Sequence, residues 1–256
     1  MFAGSGMVSA NQPFLSPRLV PVGGPTTGRT FFPASFTMSN PALIDPRTLG
    51  LASCGENVII RPTVRIVRPE RIHIGSHVMI DDFVFLGGHE QLVIGNHVHI
   101  GAHTALIGGG WCYVSDFFGL SSGVRVLTGS DDFLGGGLTN PTVPADLRCV
   151  HRGRVWLGPH GGLGANSVVF PDVAIGEGST VGAGSVVSKS LLPWGVYAGN
   201  PARRVKARPC THIEAGEARL LAREGPYPQS FRAAPYAELD LPAEFFQPTQ
   251  LGQPQP

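Results

Sequence analysis

Residues 175–188 read I-G-E-G-S-T-V-G-A-G-S-V-V-S, and the spacing within this stretch decides the fold. Aliphatic residues stand six positions apart, at Ile175, Val181 and Val187, and each is followed by glycine or serine. A helix repeats about every 3.6 residues and a half-buried strand every two, so neither explains a period of six. A sustained six-residue repeat indicates a solenoid of short strands stacked coil upon coil.

The same repeat runs back through the chain to Ile60, with slips of two residues after positions 66, 86 and 106. These slips are evenly spaced, so one corner of the coil should bulge each time the chain passes it. Three short flat strands per coil, paired in parallel at about 4.8 Å with the next coil, would accommodate the period. The sequence therefore predicts an all-β, triangular parallel β-helix over residues 42–208.

The bulging corner is predicted at 69–71, 88–91 and 109–111. At its next visit the chain inserts a long segment, at about 127–154, instead of two extra residues. Two adjacent carboxylates, Asp131 and Asp132, lie where this segment begins. We therefore predict an inserted loop that leaves the solenoid at a defined corner.

The flanking segments differ from this repeat. Residues 1–41 are rich in Gly, Pro, Ser and Thr, which predicts an irregular or mobile arm. Residues 42–52 are expected to form a short helix, with Asp45 as N-cap and proline next. A helix is predicted over 213–223, within a C-terminal segment 209–256 whose Pro-rich tail is expected to be disordered.

The overall composition argues against nucleic-acid binding and against membrane insertion. Charged residues make up 14% of the chain and the net charge is +1, so a nucleic-acid partner is not expected. No apolar run approaches the roughly 20 residues that span a bilayer, so membrane insertion is not expected. The four cysteines, Cys54, Cys112, Cys149 and Cys210, form no C-x-x-C pair. They are interpreted as free thiols of a cytoplasmic protein.

Three segments carry a resemblance to a known family: V-W-L-G at 155–158, the glycine-rich run at 176–189, and W-G-V-Y-A-G-N-P-A-R-R-V-K at 194–206. Together with the hexads, they resemble the left-handed β-helix, hexapeptide-repeat acyltransferases. The branch is that of galactoside, maltose and surface-polysaccharide acetyltransferases, and I-D-D-F at 80–83 and L-T-N-P-T-V-P at 138–144 are similar to its polysaccharide members. The resemblance implies a homotrimer, acetyl-CoA in a groove between subunits, a sugar or nucleotide-sugar acceptor, and no metal.

Members of this family carry a histidine on the inserted loop, which takes the proton of the acceptor. Asp131 stands at its place here, and three explanations are open. Asp131 is itself the base, with its pKa raised by Asp132; or His99 or His103 on a neighbouring coil or subunit is the base; or the acceptor is an amine that needs less help. Alternatively, the segment S-D-D-F is only a turn.

The resemblance also implies contacts to the cofactor. Trp156 is expected near the thioester and the backbone of Ala183 at the pantetheine arm. The nucleotide end, with its phosphates, is expected to meet polar and basic residues: Ser188, Lys189, Arg203 and Lys206. For the last two, an ordinary solvated, positively charged end segment is the alternative.

The remaining histidines are weighed by position. His99 stands one residue before an inward aliphatic, so its side chain should point outward. His77 and His97 are expected to be solvated corner residues, and His151 and His160 to be structural. We predict a CoA-dependent sugar acetyltransferase; the alternative is a catalytically impaired β-solenoid that binds or scaffolds.

Overall fold

The computed structural model describes residues 42–87, 90–227 and 231. The chain divides into two units, Met1–Asn40 and Pro41–Pro256, and every described residue belongs to the second. The expectations for the N-terminal arm and for the end of the Pro-rich tail fall outside these residues.

The described chain is a β-solenoid of about seven coils with three parallel faces, as the six-residue period predicts. The first face contains β1 (Ser53–Cys54), β4 (Ile72–Ile74), β7 (Gln91–Ile94), β10 (Trp111–Val114), β15 (Arg154–Leu157) and β18 (Val173–Ile175). The second face contains β2 (Ile59–Ile60), β5 (Met79–Ile80), β8 (His99–Ile100), β11 (Gly119–Leu120), β16 (Gly162–Leu163), β19 (Thr180–Val181), β21 (Gly195–Ala198) and β22 (Arg203–Ala207). The third face contains β3 (Arg65–Ile66), β6 (Phe85–Leu86), β9 (Ala105–Ile107), β12 (Arg125–Leu127), β17 (Val168–Val169) and β20 (Val186–Val187).

The register confirms the two coil lengths in the sequence. In the early coils Ile60 pairs with Ile80, and Ile80 with Ile100, so each coil contains 20 residues. In the late coils Leu163 pairs with Val181, so the coil has shortened to 18. The extra two residues lie where the slips predicted, at the vertex between the third and first faces, which we call the loop vertex.

The core is a central stack of aliphatic side chains, one ladder per face. Ile60, Ile80, Ile100 and Leu120 form one such ladder, and each is at most 1% exposed. Burying one aliphatic side chain contributes about 1.5–3 kcal/mol, so this repetition explains how strands of two residues hold together.

The inserted loop leaves the solenoid at the loop vertex, as predicted. It is not irregular throughout, because its two ends pair as an antiparallel ribbon of β13 (Gly129–Asp131) and β14 (Val150–Arg152). A short 3-10 helix, Ala145–Leu147, lies within the loop. The ribbon fixes the direction in which the loop projects.

The two ends of the described chain differ from each other. The short helix expected over 42–52 is only a three-residue 3-10 helix, Pro46–Thr48, although Asp45 is its N-cap as predicted. The helix predicted over 213–223 is confirmed as α1 (Thr211–Glu224). The antiparallel return of β22 along β21 was not foreseen. No helix among the described residues is both long and apolar enough to cross a bilayer.

Candidate functional site

The second face carries a long open groove, with a volume of about 510 Å³. Its floor is made of glycines and short side chains on successive coils, and His99 stands at one end. The residues that line it are His99, Gly119, Leu120, Ser121, Ser122, Gly162, Leu163, Gly164, Thr180 and Val181. We call this the second-face groove.

Two of its glycines are not required by the packing of the chain. A Cβ on Gly119 would have no atom within 4 Å, and a Cβ on Gly162 would meet nothing closer than 3.6 Å. Gly101 and Gly164 are different, because a Cβ there would lie 2.7 Å and 2.4 Å from backbone of the next coil. Glycine weakens a strand, and an unforced glycine marks close approach by a ligand or another backbone. Gly119 and Gly162 therefore indicate an occupant outside the chain.

His99 and Asp81 form a pair at the lower end of the groove. The His99 imidazole is 54% exposed, and its Nε2 lies 2.8 Å from Oδ2 of Asp81. The two residues are neighbours because one coil separates Met79 from His99 in the register. A carboxylate that accepts a hydrogen bond from Nε2–H leaves Nδ1 as the basic nitrogen. The outward orientation of His99 is thus as predicted.

The upper end of the groove is basic. Thr180 pairs with Val196 and Val196 with Lys206, so Lys206 lies in the same column of the second face as His99. Arg203 pairs with Ala198 on the adjacent column, and both cations are exposed. Five strand spacings of about 4.8 Å separate His99 from Lys206, roughly 24 Å in all.

The other expected cofactor residues divide between positions. Ala183 is exposed in the turn between β19 and β20, at the edge of the second face. Ser188 and Lys189 are exposed at the loop vertex, across the coil from the groove. Trp156 is 1% exposed on the first face, with Gly158 against its ring. Within a single chain, His99, Ala183, Arg203 and Lys206 therefore lie on the side of the groove. Trp156, Ser188 and Lys189 do not.

Asp131 is held by an ion pair within the loop. Its Oδ1 accepts from Nη2 of Arg148 at 2.5 Å, and its Oδ2 accepts from the backbone N–H of Asn140 at 3.1 Å. The Arg148 guanidinium lowers the pKa of the Asp131 carboxyl. The expectation that Asp132 raises this pKa is therefore wrong in direction, because Asp132 instead accepts from the backbone of Leu134 and Gly136.

A second histidine cluster lies at the vertex between the first and second faces. The rings of His77, His97, Phe117 and His160 stack along the solenoid, with centroids 4.6–5.0 Å apart. We call this the ring stack. Glu217 of α1 lies 3.1 Å from His160, and Tyr227 hydrogen-bonds to His97. His77 and His97 are thus half-buried, and the expectation that they are solvated is wrong.

Among the described residues, His77, His97 and Glu224 bring three possible metal-ligand atoms within 4.8 Å of one another. The two imidazole planes are parallel to within 2°. Because each nitrogen lone pair lies in the plane of its ring, two parallel rings do not direct both lone pairs at one point. We therefore interpret this cluster as a hydrogen-bonded stack against α1.

The cysteines offer no nucleophile to the groove. All four are free thiols, and Cys112 and Cys210 are buried. Burial raises the pKa of the Cys112 thiol to about 12, so it stays protonated at neutral pH.

Comparison with known proteins agrees with this geometry. AntD, an N-acyltransferase from Bacillus cereus, has been crystallised as a variant with dTDP-4-amino-4,6-dideoxyglucose and CoA. It is 40% identical with a TM-score of 0.66, over 70% of this chain and 97% of AntD. AntD has also been crystallised with dTDP and 3-hydroxybutyryl-CoA (41% identity, TM-score 0.65, covering 70% of this chain and 95% of AntD).

Two curated relatives point the same way. A dTDP-4-amino-4,6-dideoxy-D-glucose acyltransferase from Escherichia coli is 35% identical, over 64% of this chain and 86% of the relative. A putative colanic acid biosynthesis acetyltransferase, WcaF of Escherichia coli (strain K12), is 30% identical, over 61% of this chain and 70% of the relative. No family model matches the chain.

The described chain is a β-solenoid with a bare groove on its second face. The chain belongs to the left-handed β-helix, hexapeptide-repeat family of CoA-dependent sugar acyltransferases. The resemblance read from the three sequence motifs is thereby confirmed.

Proposed function

We propose that the protein transfers a short acyl group from acyl-CoA to an amino or hydroxyl group of a nucleotide-linked sugar. The reaction takes place in the second-face groove, between two copies of a cytoplasmic homotrimer. The observation that carries this proposal is the asymmetry of the groove. Its upper end has Arg203 and Lys206, its floor has Gly119 and Gly162, and its lower end has the His99–Asp81 pair.

This asymmetry matches the asymmetry of CoA. The phosphates of CoA need cations, and Arg203 and Lys206 supply them without competing carboxylates in the same ladder. The pantetheine arm is thin and lies on backbone, for which the bare strands at Gly119 and Gly162 leave room. The thioester then reaches His99, where the reaction needs a base.

The chemistry follows from the tautomer of His99. The Asp81 carboxylate accepts a hydrogen bond from Nε2–H, so Nδ1 takes a proton from the acceptor as its nitrogen or oxygen attacks the thioester carbonyl carbon. The new N–C or O–C bond forms, the C–S bond breaks, and the thiolate leaves and is protonated. Asp131, ionised and held by Arg148, shapes the loop instead of acting as the base.

The chemical class of the acceptor is inferred from the similarity to AntD. AntD binds a dTDP-linked amino sugar together with CoA, and the similarity extends over almost all of AntD. An amine acceptor also suits a site whose base is a single exposed imidazole, because a protonated amine gives up its proton more readily than a sugar hydroxyl does. We therefore favour N-acyl transfer to a nucleotide-linked amino sugar.

The proposed homotrimer is supported by the distance between the loop and the groove within one chain. The chain visits the first, second and third faces in order, so the loop vertex lies opposite the second face. The loop and the Ser188–Lys189 pair share that vertex. A neighbouring copy that lays its loop vertex over the second-face groove brings both to the cofactor at once. Three copies related in this way form a closed ring.

A cytoplasmic location suits the free thiols, since cytosolic reductants keep cysteines reduced. The substrates agree, because acyl-CoA and nucleotide sugars are drawn from the cytoplasmic pool.

The proposal is tested by titrating the protein with CoA and by measuring thiol release from acetyl-CoA with dTDP-4-amino-4,6-dideoxyglucose as acceptor. Stabilisation by CoA and acceptor-dependent thiol release are expected. Binding of CoA without turnover on any nucleotide-linked sugar would favour the binding or scaffold alternative. Failure to bind CoA at all would overturn the groove assignment.

The shared site is tested by mixing two inactive variants. His99→Ala destroys the groove side and deletion of 133–147 destroys the loop side. If neighbouring copies share the site, co-refolded mixtures regain a fraction of wild-type activity, because some interfaces pair an intact groove with an intact loop. No recovery in a mixture whose mass equals three chains would contradict the arrangement.

A further inference from the structure

The second face changes character below His99. Above it the ladder is bare, at Gly119 and Gly162, whereas below it the same ladder continues to Met79 and then Ile59. Met79 is 37% exposed and Ile59 is partly exposed, so both present apolar surface in line with the groove. Phe83, four residues after Met79, is 58% exposed at the adjoining vertex. On the second face, the column of outward side chains thus changes from glycine above His99 to apolar residues below it.

The proposed orientation of acyl-CoA in the groove places its acyl group against this apolar surface. With the phosphates at Arg203 and Lys206 and the thioester at His99, the carbons beyond the carbonyl extend past His99, onto Met79. Those carbons are absent from CoA itself, barely present in acetyl-CoA, and present in longer acyl groups. Methionine is flexible and polarisable, which lets it follow chains of different length.

We propose that Met79, with Ile59 beneath it, is an acyl-chain subsite that selects acyl groups longer than acetyl. This inference rests on the proposed function, because it uses the direction of CoA in the second-face groove. The ligand class is a short, saturated acyl chain of about four carbons. Met79 is one strand spacing from His99, about 4.8 Å, and this is about the distance that a four-carbon acyl group extends beyond the thioester.

Isothermal titration of CoA, acetyl-CoA, butyryl-CoA and hexanoyl-CoA into the full chain tests the subsite without an acceptor. Burial of a methylene strengthens binding by about fourfold at most, and this surface is half open. Butyryl-CoA is therefore expected to bind about three- to tenfold more tightly than acetyl-CoA. In Met79→Ser this ratio should fall to within about twofold of one.

The control is Phe85→Ser, which removes an apolar side chain of the same exposure (37%) on the third face. Its ratio should equal that of the wild type. Met79→Gln, which keeps the length of the side chain, serves if the serine variant does not fold, and it too should lower the ratio. Equal affinities for acetyl- and butyryl-CoA in the wild type would overturn the subsite while leaving the groove intact.

Two further outcomes are distinct from these. If no CoA ester binds, the proposed function fails, and the acyl subsite fails with it. If Met79→Ser changes the mass of the oligomer and leaves the ratio unchanged, then a neighbouring copy covers Met79, and the subsite is wrong.

Discussion

Two ladders of residues that contain histidine run along this solenoid. One is the ring stack, at the vertex between the first and second faces, and the other is the second-face groove. In the ring stack, His77, His97 and His160 are stacked on one another and on Phe117, and α1 closes over them with Glu217 and Glu224. In the second-face groove, His99 is 54% exposed, is paired only with Asp81 among the contacts described above, and has a bare floor above it. Side chains of the chain itself fill the ring stack. The groove is left open, and we propose that it receives the cofactor.

The sharpest test of this contrast replaces one histidine of each ladder by alanine. His99→Ala should lower kcat about 10²–10⁴-fold, the usual contribution of a general base, and leave the affinity for CoA within about twofold. His97→Ala should lower the melting temperature and change kcat little. Steady-state kinetics and thermal melts on both variants check this. Equal losses of kcat in the two variants would contradict the assignment of a catalytic role to His99 and a structural role to His97.

We expect the Asp131–Arg148 ion pair to support activity by holding the inserted loop in place, and not by supplying the base. Asp131→Asn and Arg148→Ala remove opposite halves of one ion pair, so each should lower kcat/KM by the same factor, about 10- to 100-fold, because the loop is misplaced. The pH profile should keep its shape, since the pKa of Asp131 is lowered and the group stays ionised through the working range. A shift of the acidic limb in Asp131→Asn alone would instead make Asp131 the base.

The basic end of the groove should contribute less than the base. Arg203→Ala combined with Lys206→Ala is expected to weaken CoA about tenfold, as the loss of charge-assisted contacts to phosphate implies. Binding of pantetheine, which lacks the phosphates, should not change. Arg65→Ala combined with Arg125→Ala, which removes two exposed cations from the third face, is the control for net charge. Equal weakening of pantetheine would place the phosphates elsewhere.

The smallest effect concerns pH and the ring stack. Burial, and then the neighbouring His77, lower the pKa of His97 below its ordinary value of 6.5. The unfolded chain therefore binds a proton more readily, and stability should fall as the pH drops through about 6.5. His97→Phe extends the stack with a ring that does not titrate, so its melting temperature should depend less on pH. An unchanged pH dependence in this variant would show that other groups cause it.

Much of the fold was readable from spacing alone. The period of six and the slips of two predicted the coils, the bulging vertex and the place of the loop, because inward aliphatics must repeat once per strand. Helix α1 was also predicted. The 3-10 helix at Pro46 was shorter than expected, since the chain enters β1 only a few residues later.

The site was harder to predict for a physical reason. Asp131 meets Arg148, 17 residues away within the loop, and no periodicity governs a loop. Hence the direction of its pKa shift was missed. The His99–Asp81 pair, by contrast, spans 18 residues in neighbouring coils, so the register could have revealed it. The ring stack was missed because its partners on α1 lie outside the repeat.

The central claim is that the bare floor of the second face holds acyl-CoA, and Gly162 tests it most directly. A Cβ at Gly162 would meet no atom of its own chain closer than 3.6 Å, so Gly162→Val should fold with a melting temperature close to that of the wild type. Ala105→Val places the same side chain on the third face, away from the groove. The account predicts that isothermal titration finds CoA weakened at least about tenfold by Gly162→Val and unchanged by Ala105→Val. Wild-type affinity for CoA in a well-folded Gly162→Val variant would contradict it.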